Sequence, residues 1–94
     1  MRIQVRSAMH ISKILTGRNV GIELIDMHTL GGLLHVLTSM FGQEFYDAVC
    51  SEDGYNTEKV AILVNGTSAA AIGGINIKLN EGDEVSILPV IQGG

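Results

Sequence analysis

Few side chains in this 94-residue chain are of types that do chemistry, and their spacing removes most of them from consideration. His10, His28 and His35 are the only histidines, and Cys50 is the only cysteine. None of the three histidines stands at ligand spacing with another or with Cys50. Zinc requires three or four convergent ligands, so no metal site is expected. Cys50 with a histidine is the pairing that would make a thiol nucleophile and its base. Flanked by Ala48 and Val49, however, it reads as a small buried hydrophobe. Two acidic groups, Glu44, Asp47, Glu52 and Asp53 in the middle and Glu81, Asp83 and Glu84 near the end, could each hold a general acid and base. No apolar pocket flanks them in the sequence, so they read as solvated faces. The glycine pairs at 31–32 and 73–74 are followed by no lysine at phosphate-loop spacing.

What remains is the end of the chain, Pro89-Val90-Ile91-Gln92-Gly93-Gly94. Glycine carries no side chain to block a narrow channel, and it reaches backbone conformations that a Cβ forbids. The α-carboxylate of Gly94, with an ordinary pKa of about 3.5, is ionised at neutral pH. A carboxylate is a poor electrophile until one oxygen becomes a better leaving group. Adenylation by an ATP-using partner achieves that, after which sulfur or an amine can displace AMP. The candidate reacting residue is therefore Gly94, with Gly93 giving a partner close access to it.

These residues need a scaffold, and the composition provides one. The hydrophobic fraction is 46% and the charged fraction 17%, as in a chain that folds around a core. At this length one domain spanning 1–94 is expected, with the Gly-Gly end as a flexible tail. The net charge of −4 argues against nucleic acid, which demands clustered Lys and Arg. A single cysteine fits a reducing compartment, and no apolar run reaches membrane-spanning length. The expected location is the cytoplasm.

Arg2 to Met9 alternates Arg2, Gln4 and Arg6 against Ile3 and Val5, the pattern of a strand with one buried face. Val20–Ile25 is expected to pair back as a hairpin, with 10–17 as a surface loop. Thr29 is a plausible N-cap for a helix with Leu30, Leu33, Leu34, Leu37 and Phe41 on one stripe. Gly42 stands where that helix would close, and Phe45, Tyr46 and Val49 suggest a short second helix. Glu52-Asp53-Gly54 reads as a turn. Val60–Val64 reads as a central strand buried on both faces, ended by the Asn65-Gly66 turn. Residues 67–72 would pair back briefly, and Glu84–Pro89 is the last strand. The order predicts an α+β, β-grasp arrangement, a mixed sheet with one main helix across it and the post-helix strand beside the first.

Within this frame Val64-Asn65-Gly66, Leu79-Asn80-Glu81-Gly82-Asp83-Glu84-Val85 and Pro89-Val90-Ile91-Gln92-Gly93-Gly94 resemble the MoaD/ThiS sulfur-carrier family. The small subunit of molybdopterin synthase is the nearest match in pattern. That family has a strand ending in V-N-G, an L-x-x-G-D-E-V turn and a P-P-V-x-G-G tail in this order. The helix beginning at Thr29 is similar to its T-x-x-x-L-L-x-x-L-x-x-x-[FY]-G. The likeness covers residues 1–8 and 20–94 with a gap near 43–57. Val90 replaces the second proline, and Gly31-Gly32 stand where charged residues or alanine are common. The resemblance implies a β-grasp fold and a cycle in which an E1-like enzyme uses ATP to adenylate Gly94. A thiocarboxylate then delivers sulfur to an acceptor, such as a molybdopterin synthase large subunit. Catalytic side chains would come from those partners, with no cofactor held tightly by this chain. Carriage for thiamin thiazole or another small metabolite, or conjugation to protein lysines through Gly94, would use the same tail.

Overall fold

The computed structural model describes residues 1–90. Along the chain these form β1 (Arg2–Ser7), α1 (Met9–Ile14), β2 (Asn19–Glu23), α2 (Leu30–Val49), β3 (Cys50–Ser51) and β4 (Gly54–Tyr55). They continue as β5 (Val60–Val64), β6 (Thr67–Ser68), α3 (Ala69–Ile72), a 3-10 turn over Gly74–Asn76, and β7 (Glu84–Pro89). Five strands make one sheet in the order β2-β1-β7-β5-β6, and β3 and β4 form a small separate hairpin.

The alternation in β1 does what it predicts: Ile3 and Val5 are buried while Arg2 and Arg6 face out. Val85 and Ile87 of β7 and Val60, Ile62 and Val64 of β5 point the same way, and α2 covers them with Leu30, Leu33, Leu34 and Leu37. Burying a Leu, Ile or Val side chain is worth about 1.5–3 kcal/mol each, so this shared layer is the main source of stability. Thr29 caps α2 as expected, its Oγ1 accepting from the Gly32 N–H at 3.1 Å. The helix kinks at Gly42 (φ 78°, ψ −161°), and its second segment buries Phe45 and Val49 as the sequence suggests.

Four expectations change. Residues 9–14 are a helix rather than loop, because Ile11, Ile14 and Leu15 recur at helical spacing and pack on the core. The strand following α2 does not lie beside β1. The last strand, β7, takes that place in parallel register, Val5 opposite Val85, and β5 pairs antiparallel on the far side of β7. Nor is β5 buried on both faces, since Ala61 is exposed and Leu63 half-buried. Finally, only Thr67 and Ser68 pair back on β5, after which the chain turns helical through Ala69–Ile72.

Candidate functional site

Asn65 and Gly66 form the β5–β6 turn with positive φ at both positions, 50° and 86°, as a two-residue hairpin turn of this type needs. Asn65 also reaches the segment before β7. Its Nδ2 donates to Asp83 Oδ1 at 3.0 Å, and its Oδ1 accepts from the Glu84 N–H at 2.9 Å. The second Asp83 oxygen accepts from the Asn80 N–H at 2.8 Å. The Asp83 carbonyl accepts from the Gln4 N–H at 2.9 Å, and the Gly82 N–H donates to the Arg2 carbonyl at 2.9 Å. The V-N-G and G-D-E motifs therefore tie β5, β7 and β1 together where β7 begins. They hold the register of these strands.

The tail leaves from the other end of β7, about 20 Å away at 3.3 Å per residue. There Pro89 pairs with Val60 across the sheet. The Val90 N–H donates to the Lys59 carbonyl at 2.8 Å. Lys59 is itself held, its Nζ donating to the Asp47 carbonyl near the end of α2 at 3.0 Å. Asn56 completes the seat. Its carbonyl accepts from the Lys59 and Val60 N–H groups, both at 3.0 Å, its Oδ1 takes the Glu58 N–H at 2.9 Å, and its N–H donates to the Val49 carbonyl at 2.9 Å. Backbone bonds from α2 through Asn56 to β5 and β7 thus fix the position from which residues 91–94 depart. Gly93 and Gly94, the residues that carry the expected chemistry, lie outside the described residues.

A groove of about 570 Å³ runs beside this seat, lined by His10, Ile14, Glu44, Asp47, Ala48, Glu58, Lys59, Pro89 and Val90. Neither Asn56 nor Lys59 was singled out by sequence; a polar residue four places before a strand gives no distinctive signal. The short helix α1, which contributes His10 and Ile14, did carry one in the spacing of Ile11, Ile14 and Leu15.

Among the described residues the other candidate side chains make no histidine–cysteine hydrogen bond. His35 and Cys50 line one pocket of about 250 Å³ together with Thr38, Tyr46 and Glu52. Yet the hydrogen-bond partner of the Cys50 Sγ is Thr38 Oγ1, at 3.8 Å, and not a histidine. Burial pushes the thiol pKa up, with the Thr38 contact opposing more weakly, so the thiolate an attack would need is disfavoured. His28 Nε2 lies 3.0 Å from the Ile25 carbonyl, so that ring is engaged by its own loop. Among the described residues no three His, Cys, Asp or Glu side chains converge as a metal would need. No helix among them is long and apolar enough to cross a membrane.

Known proteins agree with this architecture. Residues 12–94 match the model of the ThiS family. A protein of Archaeoglobus fulgidus named as a candidate sulfur carrier is 30% identical over 66 residues, which is 70% of this chain and 74% of that one. Among solved structures, small archaeal modifier protein 1 of Haloferax volcanii superposes with a TM-score of 0.77 at 19% identity, covering 100% of both chains. A candidate subunit 1 of a molybdopterin converting factor from Pyrococcus furiosus gives 0.71 at 19% identity, covering 97% of this chain and 99% of that one. At such identities the structural likeness speaks for the fold alone, and that fold is the ubiquitin-like β-grasp. The family match takes in every described element from β2 onward and runs through both glycines at 93–94: the chain belongs to the ThiS family.

Proposed function

We propose that this protein is a sulfur carrier whose reacting group is the carboxylate of Gly94, with Gly93 giving access to it. An E1-like partner brings ATP. A Gly94 oxygen attacks the α-phosphorus, pyrophosphate leaves, and the acyl carbon becomes an electrophile. A hydrosulfide-class donor then displaces AMP and leaves a thiocarboxylate. Transfer of that sulfur to an acceptor, with water supplying the oxygen that replaces it at the acyl carbon, returns the carboxylate. The observation that supports this reading is the seat of the tail: just past the end of β7, the Val90 N–H is bonded to the Lys59 carbonyl, so the strand delivers the chain to residues 91–94 from a held position. Molybdopterin synthesis is the acceptor pathway we favour, with a synthase large subunit as partner. The likeness to a molybdopterin converting factor subunit is consistent with it.

A second reading, conjugation of Gly94 to lysines of other proteins, has its own support in the full-length likeness to an archaeal modifier protein. Intact-mass spectrometry of the protein from its native cell separates the two. A mass increase equal to one oxygen replaced by sulfur supports carriage, and lysine-linked adducts support the modifier. The same spectrum establishes whether Gly94 is the terminal residue of the working protein. Deleting Gly94 is expected to abolish either activity while leaving the far-UV circular dichroism unchanged. Full activity of the deletion variant would sink both readings.

A further inference from the structure

The charge of this molecule is not spread over it. Residues 44–59 hold five carboxylates, Glu44, Asp47, Glu52, Asp53 and Glu58, and one lysine, while the rest of the chain carries five acidic and five basic side chains. The whole net charge of −4 thus belongs to one segment. That segment frames the tail seat: Glu44, Asp47 and Glu58 line the groove beside Pro89 and Val90. The one lysine or arginine lining it, Lys59, donates its Nζ to the Asp47 carbonyl, and Gln43 Nε2 donates to Asp47 Oδ1 at 2.8 Å. Among the described residues the ion pairs are the N-terminus with Glu23 at 3.9 Å and Arg6 with Glu84 at 3.5 Å, so the groove carboxylates have none.

Chain length brings a partner onto this surface. Four residues, 91–94, span at most about 13–14 Å beyond Val90. Any active site that takes hold of Gly94 must open within that distance, so its rim meets the groove. We infer that this acidic collar is the electrostatic half of the docking surface for the adenylating partner, whose channel mouth is lined by Lys and Arg. The inference rests on the Gly94 reading. It favours the ATP-using enzyme because bringing a carboxylate to a triphosphate sets anion against anion, and a site that does so must supply cations. Carboxylates around the tail that no cation neutralises among the described residues are attracted to those cations before contact, which raises the rate of productive encounter.

Carrier-dependent ATP–pyrophosphate exchange by the adenylating enzyme of the same organism tests this, from low salt to about 0.3 M, where the Debye length is roughly 5–6 Å. The full chain is compared with E44Q/D47N/E58Q and with a matched control, E23Q/D26N/E81Q, that removes three charges elsewhere. The wild-type KM for carrier should rise steeply with salt. The collar variant should show a low-salt KM raised about tenfold and a nearly flat salt dependence, with the control within about twofold of wild type. E44Q and E58Q singly should each give part of the effect, so the test does not hang on the triple variant folding. Equal KM values for collar and control variants, or a wild-type KM indifferent to salt, would overturn the inference and leave the Gly94 reading standing. No exchange with the wild-type chain would overturn both.

Discussion

Replacing Gly32 with alanine sets two physical effects of opposite sign against each other. Helix propensity alone says the change should help, because glycine inside a helix costs about 1 kcal/mol relative to alanine. The structure says otherwise. A Cβ at Gly32 would collide with the Met27 carbonyl oxygen and would stand 2.8 Å from the Met27 Cβ. Backbone cannot rotate out of the way as a side chain can. The obstructing loop is also constrained, with Met27 at φ 49° and its carbonyl accepting the Thr29 N–H at 2.6 Å.

Relief therefore requires moving the loop that presents Thr29, and with it the cap from Thr29 Oγ1 to the Gly32 N–H. Losing an N-cap costs about 1 kcal/mol, and forcing extra volume into a packed site costs about 1–3 kcal/mol. Against the propensity gain, the net expectation is a destabilisation of about 1–3 kcal/mol. For a domain of this size that lowers Tm by roughly 5–20 °C. Urea unfolding should show a lower midpoint with an unchanged m-value, which separates lost stability from a changed denatured state. A Gly32→Ala variant as stable as wild type, or more so, would refute the claim that close backbone approach outweighs propensity here.

Three further outcomes are expected. Gly42→Ala has open space around it, nothing lying within 4 Å of a new Cβ, but its φ of 78° with ψ −161° is a conformation essentially reserved for glycine. It should cost about 1–3 kcal/mol by thermal melting, through backbone strain alone. Asn65→Ala removes both side-chain bonds to the 83–84 segment and places alanine at φ 50°. It should lose about 1.5–3 kcal/mol, whereas Asn65→Gly, which tolerates that φ, should lose less. Because the folded pKa of Cys50 is raised above the ordinary 9.0, folded protein holds this proton more tightly than unfolded. Its contribution to stability is intact below pH 9 and declines as pH rises past that value. Denaturant midpoints between about pH 8 and 10.5 should fall less in Cys50→Ala than in wild type, and alkylation of native Cys50 at pH 8 should be slower than of a free thiol.

What the sequence disclosed follows from the range of each signal. Alternation in β1, the Thr29 cap and the Asn65-Gly66 turn are local, decided within a few residues, and all stand as read. The neighbour order of the sheet is not local. Nothing in Val60–Val64 says that β7 rather than β5 lies against β1, and its run of apolar residues imitates a doubly covered strand although Ala61 is exposed. Helix α1 was missed for a different reason. It is six residues long with Ala8 at the cap and no side-chain cap bond, so only the Ile11, Ile14, Leu15 spacing announces it. The tail seat escapes sequence reading because Asp47, Asn56, Lys59 and Val90 meet only through the fold, by bonds that are mostly backbone.

The two ends of β7 divide the work, and on the proposed reading of Gly94 that division explains why family membership leaves the sulfur acceptor open. At its start, Asn65, Asp83 and Glu84 lock three strands through side-chain and backbone bonds. These most recognisable residues specify a scaffold, and any protein needing a rigid strand behind a threaded tail has use for them. At its end the backbone seat is held by main-chain groups, which nearly any sequence can supply. Discrimination between partners must then come from side chains that surround the exit and touch no part of the core. Those are Glu44, Asp47 and Glu58, within the 43–57 stretch that the recognisable motifs bypass or immediately beside it. Exposed side chains such as these can change their charge at little cost in stability, since exposed charges contribute at most about 1 kcal/mol each. On the proposed reading, partner choice can therefore vary there while the scaffold and the tail chemistry stay fixed.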